Sequence, residues 1–283
     1  MSEAAVGEPA VQLDDVKGFV FDVDGSLVHR GTDFRSEPLP GAVEVIEAIR
    51  ASGRPLVLFT NGSHLDPETF AAGLREDGLP VEDDELLTPV VSATTYLRRH
   101  LPGRPVMVFG SDEIKRRMER DGVPLIDTDA AEAVFVAHVP QVDMDDLETA
   151  ARAVINGAPL LTANYGPGYW GSNGLIFSRG AMTTAAIAKV TEAEPIVVGK
   201  PSEVAVEATS ERLGAPSEQH VVIGDDIDMD IALGHLGGSR TILVRSGMSG
   251  SLDLEGIPEE RRPDAVIDGV DQMLPWLGAP TRG

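Results

Sequence analysis

The sequence predicts an α/β protein: a parallel sheet covered by helices on both faces, with a second α/β domain inserted into it. Three observations lead there. Short apolar runs alternate with amphipathic segments from about residue 18 to residue 244. Polar residues cluster where the outer apolar runs end, as they do at the carboxyl ends of buried parallel strands. The middle of the chain, about 85–184, alternates in the same way but carries little concentrated chemistry. The expected division is a core of 1–84 and 185–283 with an inserted domain of 85–184.

Residues 18–22 (GFVFD) read as a buried strand. Residues 41–52 place Val43, Ile46 and Ile49 on one helical stripe. Residues 55–60 (PLVLFT) are the next strand, and 67–77 a helix opening on Pro67, whose fixed φ suits a first helical position. In the middle, 106–109, 134–137 and 160–162 are candidate strands, with candidate helices over 114–120 and 144–154. Residues 164–173 read as a glycine-rich loop. Further on, 195–198, 220–223 and 240–244 are strands, separated by helices over 202–213 and near 229–236. The acidic head over 1–15 and a Gly/Pro tail after Trp276 are the low-complexity material. No repeat occurs at solenoid periods.

Composition narrows the function. The 283 residues are 42% hydrophobic and 24% charged, ordinary for a soluble globular protein. No apolar run approaches the ~18 residues of a membrane helix, and residues 1–15 lack the basic start and apolar stretch of a signal peptide. Cysteine is absent, which excludes disulfides, zinc–thiolate sites, iron–sulfur clusters and a Cys nucleophile. A reducing cytoplasm is expected. The 46 acidic residues against 23 basic ones leave a net charge of −23. Such a surface repels nucleic acid and anionic membranes, so neither is an expected partner. The balance reads as an Arg-rich coding bias with a solvated acidic face; a high-salt source would leave the same mark. Only Lys17, Lys115, Lys189 and Lys200 are available for lysine chemistry.

Four polar clusters follow outer strands. The first is Asp22-Val23-Asp24-Gly25-Ser26, the second Thr60-Asn61-Gly62-Ser63. The third is Gly199-Lys200-Pro201-Ser202 and the fourth Gly224-Asp225-Asp226, with Asp228 and Asp230 close behind. Each alone is an ordinary turn or helix start. Together, at strand ends of an open parallel sheet, they are expected to converge on one pocket, and the chemistry they suggest is phosphoryl transfer. Clustered carboxylates repel unless a cation neutralises them, and an all-oxygen donor set suits Mg2+. Asp22 and Asp225 can supply ligands. A carboxylate so held can attack phosphorus and form an aspartyl-phosphate. Asp24 could protonate the leaving oxygen and then activate water. Thr60 with the amides after it can hold phosphate oxygens, and Lys200 adds positive charge against the transition state.

At these residues the chain resembles the haloacid dehalogenase superfamily over about 17–283. Phe21-Asp22-Val23-Asp24-Gly25-Ser26-Leu27 is similar to its first motif, with Ser26 where Thr is usual. Thr60-Asn61 resembles the second motif, Lys200 the third, and Gly224-Asp225 with Asp230 the fourth. The resemblance implies a Rossmann-like core with an inserted C2-type cap. It implies Asp22 as nucleophile and metal ligand, and Asp24 as acid–base with its backbone carbonyl on Mg2+. It further implies Asp225 as metal ligand, Asp230 as a support, and Thr60, Asn61 and Lys200 as phosphate-binding. Asp226 and Asp228 are competitors for the metal. The insertion between second and third motifs, with residues 92–97, 198–202 and 243–248, is similar to the NagD-type branch. That branch implies a Mg2+-dependent phosphatase of small phosphorylated metabolites and allows a homodimer, since caps of this type often mediate one. Where the branch commonly has Thr-Asn-Pro-Asp, this chain has Ala163-Asn164-Tyr165-Gly166, and only Asn164 matches. Asn164, Tyr165, Tyr169 and Trp170 are candidates for selecting the leaving group.

Two other readings compete. A dehalogenase or phosphonate hydrolase would share the fold, but dehalogenases generally lack an acid–base aspartate at the position of Asp24. A non-catalytic binding protein would not need all four motifs. Gly166-Pro167-Gly168-Tyr169-Trp170-Gly171 fits a dinucleotide pattern, yet Pro167 and the aromatics argue against a helix opening there. Asn61-Gly62-Ser63 matches a glycosylation acceptor by chance. None of the six histidines has metal-ligand spacing with another; His29 and His64 lie near the expected site and read as surface or rim residues, with substrate contact the alternative.

Overall fold

A computed structural model describes residues 11–31, 35–171, 174–248, 250 and 253–278. In chain order its first elements are β1 (Gly18–Phe21), β2 (Val28–Arg30), β3 (Ser36–Pro38), α1 (Ala42–Ala51), β4 (Leu56–Phe59), α2 (Pro67–Glu76) and β5 (Leu86–Leu87). The middle holds α3 (Pro89–His100), β6 (Val106–Phe109), α4 (Asp112–Arg120), β7 (Ala133–Val136), α5 (Met144–Ile155) and β8 (Leu160–Thr162). Then come β9 (Gly168–Gly171), β10 (Gly174–Phe177), α6 (Arg179–Thr191), β11 (Ile196–Val197) and α7 (Glu203–Leu213). The last are β12 (His220–Gly224), α8 (Ala232–Gly237), β13 (Arg240–Val244) and β14 (Ala265–Ile267).

These elements form two compact units. The first comprises Met1–Phe59, Ala71–Leu86 and Thr209–Gly283; the second, Thr60–Phe70 and Leu87–Ala208. Packing places residues 60–70 and 185–208 with the second unit and 85–86 with the first, whereas the insertion expected between motifs is 85–184. The physical reason is local. Ser63 and Asp66 are bonded to His138 and to Arg117 and Arg120, and β11 pairs in parallel with β8.

The first unit is built on a six-stranded sheet in the order β14-β13-β12-β1-β4-β5. β1 is parallel to both β4 and β12, and β13 continues in parallel from β12 to β14. The chain leaves β1 toward β4 on one side and later returns to β12 on the other. The β1–β12 boundary is therefore a topological switch point, where open α/β sheets place ligands. β1 and β12 are buried along their whole length, as strands covered on both faces must be.

The second unit holds a four-stranded sheet in the order β11-β8-β7-β6, again parallel. Its side chains sort by the two-residue period of a strand. Val106, Val108, Ala133, Phe135 and Ala137 pack with Ile114 and Met118 of α4 on one face. Met107, Phe109, Val134 and Val136 pack with Ala150 and Ile187, from α5 and α6, on the other.

Several elements depart from expectation. The glycine-rich stretch 164–173, expected as a loop, contains β9, which forms an antiparallel hairpin with β10. Tyr169, Trp170 and Ile176 favour strand, and the surrounding glycines hid that. The helix expected near 229–236 opens instead as a π-helical turn over Ile227–Ile231 and becomes α-helical only at Ala232. No described helix is long and apolar enough to cross a membrane.

Candidate active site

In the first unit, the register of β1 and β12 brings acids together before any side chain is considered. Phe21 faces Ile223 across the pair, and the Asp22 amide donates to the Ile223 carbonyl at 2.8 Å. Asp22 and Asp225 thus leave adjacent parallel strands at the same end. Asp230 joins them from the π-helical turn. Ligand oxygens of Asp22, Asp225 and Asp230 all lie within 4.8 Å of one another.

Each carboxylate is held. The Ser26 hydroxyl donates to Asp22 Oδ2 at 3.3 Å, so serine supplies the hydroxyl that the usual threonine would. Asp225 Oδ2 accepts from the Met248 amide at 2.6 Å. Asp230 Oδ2 accepts from the Asp226 amide at 3.1 Å. Asp226 caps the turn, its Oδ1 accepting from the amides of Asp228 at 2.7 Å and Met229 at 3.1 Å. Asp225 and Asp230 are 3% and 1% exposed, whereas Asp22 is only half-buried. Gly25 has φ +92°, and a Cβ there would lie 2.4 Å from Asp225 Oδ2; any side chain would enter the carboxylate cluster.

Three carboxylates at this separation would repel strongly if all were ionised, and a cation among them would offset that repulsion. The donors are all oxygen, which fits a hard divalent ion. Asp230, expected as a support, stands among the carboxylates that could ligate. The Asp24 side chain is not in the cluster: its Oδ1 accepts from Arg30 Nε at 2.7 Å. Asp228 is exposed and pairs with Arg261. Neither the Arg30 contact, from β2, nor that of the Met248 amide is legible in the sequence, because neither stands at a fixed spacing from the aspartate it meets. His29 is exposed on β2.

In the second unit, Thr60, Asn61 and Lys200 are brought together. The Thr60 hydroxyl accepts from the Gly62 amide at 3.1 Å, closing a tight turn. Asn61 Oδ1 accepts from the Lys200 amide at 2.7 Å, and Asn61 Nδ2 donates to the Lys200 carbonyl at 2.8 Å. Lys200 is 3% exposed. Ser63 Oγ accepts from the His138 amide at 3.0 Å. Burial, and then the Arg179 charge, pull the His138 imidazole below its usual pKa. His64 is exposed, its ring 6.2 Å from that of His138. Asn164 Oδ1 accepts from the Gly166 amide at 2.5 Å, so this side chain shapes its own turn. Tyr165 is exposed. Tyr169 and Trp170 lie on β9, and their side chains are outside the described residues.

Comparison with known proteins shows the family. Residues 19–124 match a family model described as haloacid dehalogenase-like hydrolase, and 197–273 one described as HAD-hydrolase-like. The chain is 30% identical over 261 residues to the ribonucleotide monophosphatase NagD of Escherichia coli, covering 91% of this chain and 98% of that one. It is 27% identical over 255 residues to a dihydroxyacetone phosphatase of Corynebacterium glutamicum, covering 90% of each. Among solved structures, a p-nitrophenyl phosphatase from Archaeoglobus fulgidus superposes with a TM-score of 0.82 at 28% identity, covering 92% of this chain and 99% of that one.

Proposed function

The chain belongs to the haloacid dehalogenase-like hydrolases and, within them, to the NagD type of phosphoric monoester hydrolase; from that premise we propose that it hydrolyses small phosphomonoesters through a covalent aspartyl-phosphate on Asp22. The observation that carries the proposal is the asymmetry of the carboxylate cluster. Asp225 and Asp230 are buried and fixed, while Asp22 is the member that solvent, and so a substrate, can reach.

Asp22, Asp225 and Asp230 would hold Mg2+, together with the Asp24 backbone carbonyl. When bound, the ion neutralises the carboxylates and withdraws charge from phosphoryl oxygens. An Asp22 oxygen attacks phosphorus, and the bond from phosphorus to the ester oxygen breaks. Asp24 gives its proton to that oxygen, and the alcohol leaves. Asp24, now ionised, takes a proton from water, and the resulting hydroxide attacks the phosphoryl group. Inorganic phosphate departs and the Asp22 carboxylate is restored. The Arg30 guanidinium, 2.7 Å from Asp24 Oδ1, fixes the direction of that carboxyl. Thr60 and Lys200 hold the phosphoryl oxygens, in line with their similarity to the second and third motifs.

The functional division proposed is a catalytic core of 1–84 and 185–283 and a cap of 85–184. Catalysis falls to the former, and recognition of the leaving group to the cap residues Asn164, Tyr165, Tyr169 and Trp170. The relatives' names span a nucleotide, a triose and an aryl phosphate, all small monoesters. Sugar, polyol and nucleotide phosphates are accordingly the class proposed. The absence of cysteine suits the cytoplasm.

The test is phosphate release over a panel of phosphomonoesters, with and without Mg2+, for the native chain and Asp22→Asn. Turnover is expected only with Mg2+, and Asp22→Asn is expected to lose it while melting normally. Native-like turnover by Asp22→Asn, without deamidation back to Asp, would remove the nucleophile assignment.

A further inference from the structure

Asn61 was expected to bind phosphate, yet its amide is oriented by something else. Its oxygen accepts from the Lys200 N–H at 2.7 Å, and its nitrogen donates to the Lys200 C=O at 2.8 Å. A side-chain amide that engages both main-chain groups of one residue mimics a paired strand. It fixes that residue's φ, ψ and the direction of its Cα–Cβ bond.

The clamp is built into its surroundings. Asn61 follows β4 and Lys200 follows β11, so 139 residues of chain separate the partners. The position before Lys200 is Gly199, which admits no larger residue. A Cβ there would lie 2.4 Å from the Ala163 carbonyl oxygen and 2.6 Å from Asn61 Oδ1. The Gly199 amide donates to that same Ala163 oxygen at 3.1 Å. The lysine main chain is thus pinned from the residue before it by Ala163, and at the residue itself by Asn61. A second tie holds the clamping segment: Ser63, two residues on, accepts from the His138 amide at 3.0 Å.

We infer that Asn61 is a positioning residue, which sets the Lys200 ammonium for the transferring phosphoryl group by clamping the Lys200 main chain. The inference rests on the proposed role of Lys200 in that reaction. Lysine has four rotatable carbons and a point charge, without the planar fork that lets arginine orient itself. Its effect on a transition state therefore depends on where its backbone starts. At 3% exposure the side chain has few alternative paths, so a displaced Cα displaces the ammonium.

A double-mutant cycle tests this, using the full chain, saturating Mg2+ and p-nitrophenyl phosphate. The variants are Asn61→Ala, Lys200→Ala and the pair. Asn61→Ala is expected to lower kcat on the order of 10²-fold, as misplacement of a charged group by about 1 Å does, with a smaller change in KM. In the Lys200→Ala background the same change is expected to cost less than about 2-fold, since no ammonium remains to position. If the two losses multiply, Asn61 acts on the phosphoryl group itself and the inference is wrong, while the proposed role of Lys200 stands. If Asn61→Ala alone leaves kcat unchanged, the clamp has no catalytic effect and the inference again fails. If Lys200→Ala retains native turnover, the reading of Lys200 fails and this inference with it. Should Asn61→Ala melt below the assay temperature, all four proteins are assayed at a temperature where each is folded, and the same two comparisons decide.

Discussion

Asp22, Asp225 and Asp230 show how much chemistry one residue type derives from its neighbours. All are carboxylates at one end of one sheet, but their burial differs, and burial separates a group that can meet substrate from groups that can only anchor. The Asp225 carboxylate is wedged against Gly25 and receives the Met248 amide. Asp225→Asn preserves that shape and removes a charge. With Asp225 as a ligand, the Mg2+ concentration for half-maximal activity is expected to rise at least tenfold, or activity to vanish. Asp230→Asn is expected to act in the same direction. A Mg2+ titration of Asp225→Asn that overlays the native curve would move the ligand role to another acid of the cluster. Residues of this kind were legible in the sequence, because Asp-x-Asp-Gly and Gly-Asp have short, fixed spacings after apolar runs. Arg30 on Asp24, and the amide of Asn61 on Lys200, were not legible. Their partners are set by loop conformation or by pairing over long sequence separations, and neither leaves a period.

Elements buried on both faces were the readable ones. β1, β4, β12 and β13 each centre on a run of three or four apolar residues, and each lies within about two residues of its expected place. Short or glycine-flanked strands were missed: β2, β3, β5, β9, β10 and β14 have two to four residues each, too few for alternation to stand out. The placement of β11 was also beyond pattern. Its sequence says strand, but only pairing with β8 puts it in the second sheet. The start of α2 illustrates a boundary that the sequence marked and the structure strengthens. Asp66 lies just before Pro67, and its Oδ1 accepts from the Glu68 amide at 2.9 Å. The same buried carboxylate takes Arg117 at 3.2 Å and Arg120 at 2.7 Å. Asp66→Ala removes a cap worth about 1 kcal/mol and leaves Arg117 short of one partner, although Glu68 and Asp121 remain. A loss of about 2–4 kcal/mol is expected in urea unfolding. A loss under about 0.5 kcal/mol would mean that the remaining acids replace Asp66 fully.

Across the whole molecule, the formal charge of −23 makes the protein sensitive to pH and salt in opposite ways. Added salt screens the mutual repulsion of the acids and is expected to raise the melting temperature. Acid acts through buried histidine. His220 opens β12 at 1% exposure, and among the described residues its Nε2 meets no hydrogen-bond partner. Burial pushes its imidazole below the usual 6.5, outweighing the upward pull of its bond to the Ala215 backbone and of Glu218. A lowered folded-state pKa means that the unfolded chain binds the proton more readily. Stability from the neutral ring is therefore complete above about pH 6.5 and declines as pH falls from there toward the folded value. His138, lowered by its own burial and by Arg179, contributes in the same direction. The measurement is the melting temperature between pH 7.5 and 5.5 at fixed salt, for the native chain and for His220→Asn, which keeps a donor near the Nδ1 position. The native chain is expected to lose stability over this range, and the variant, with nothing to protonate at that site, to show a shallower slope. Parallel slopes for the two would mean that His220 titrates alike in folded and unfolded chains. The acid sensitivity would then belong to the carboxylates and not to the ring at the start of β12.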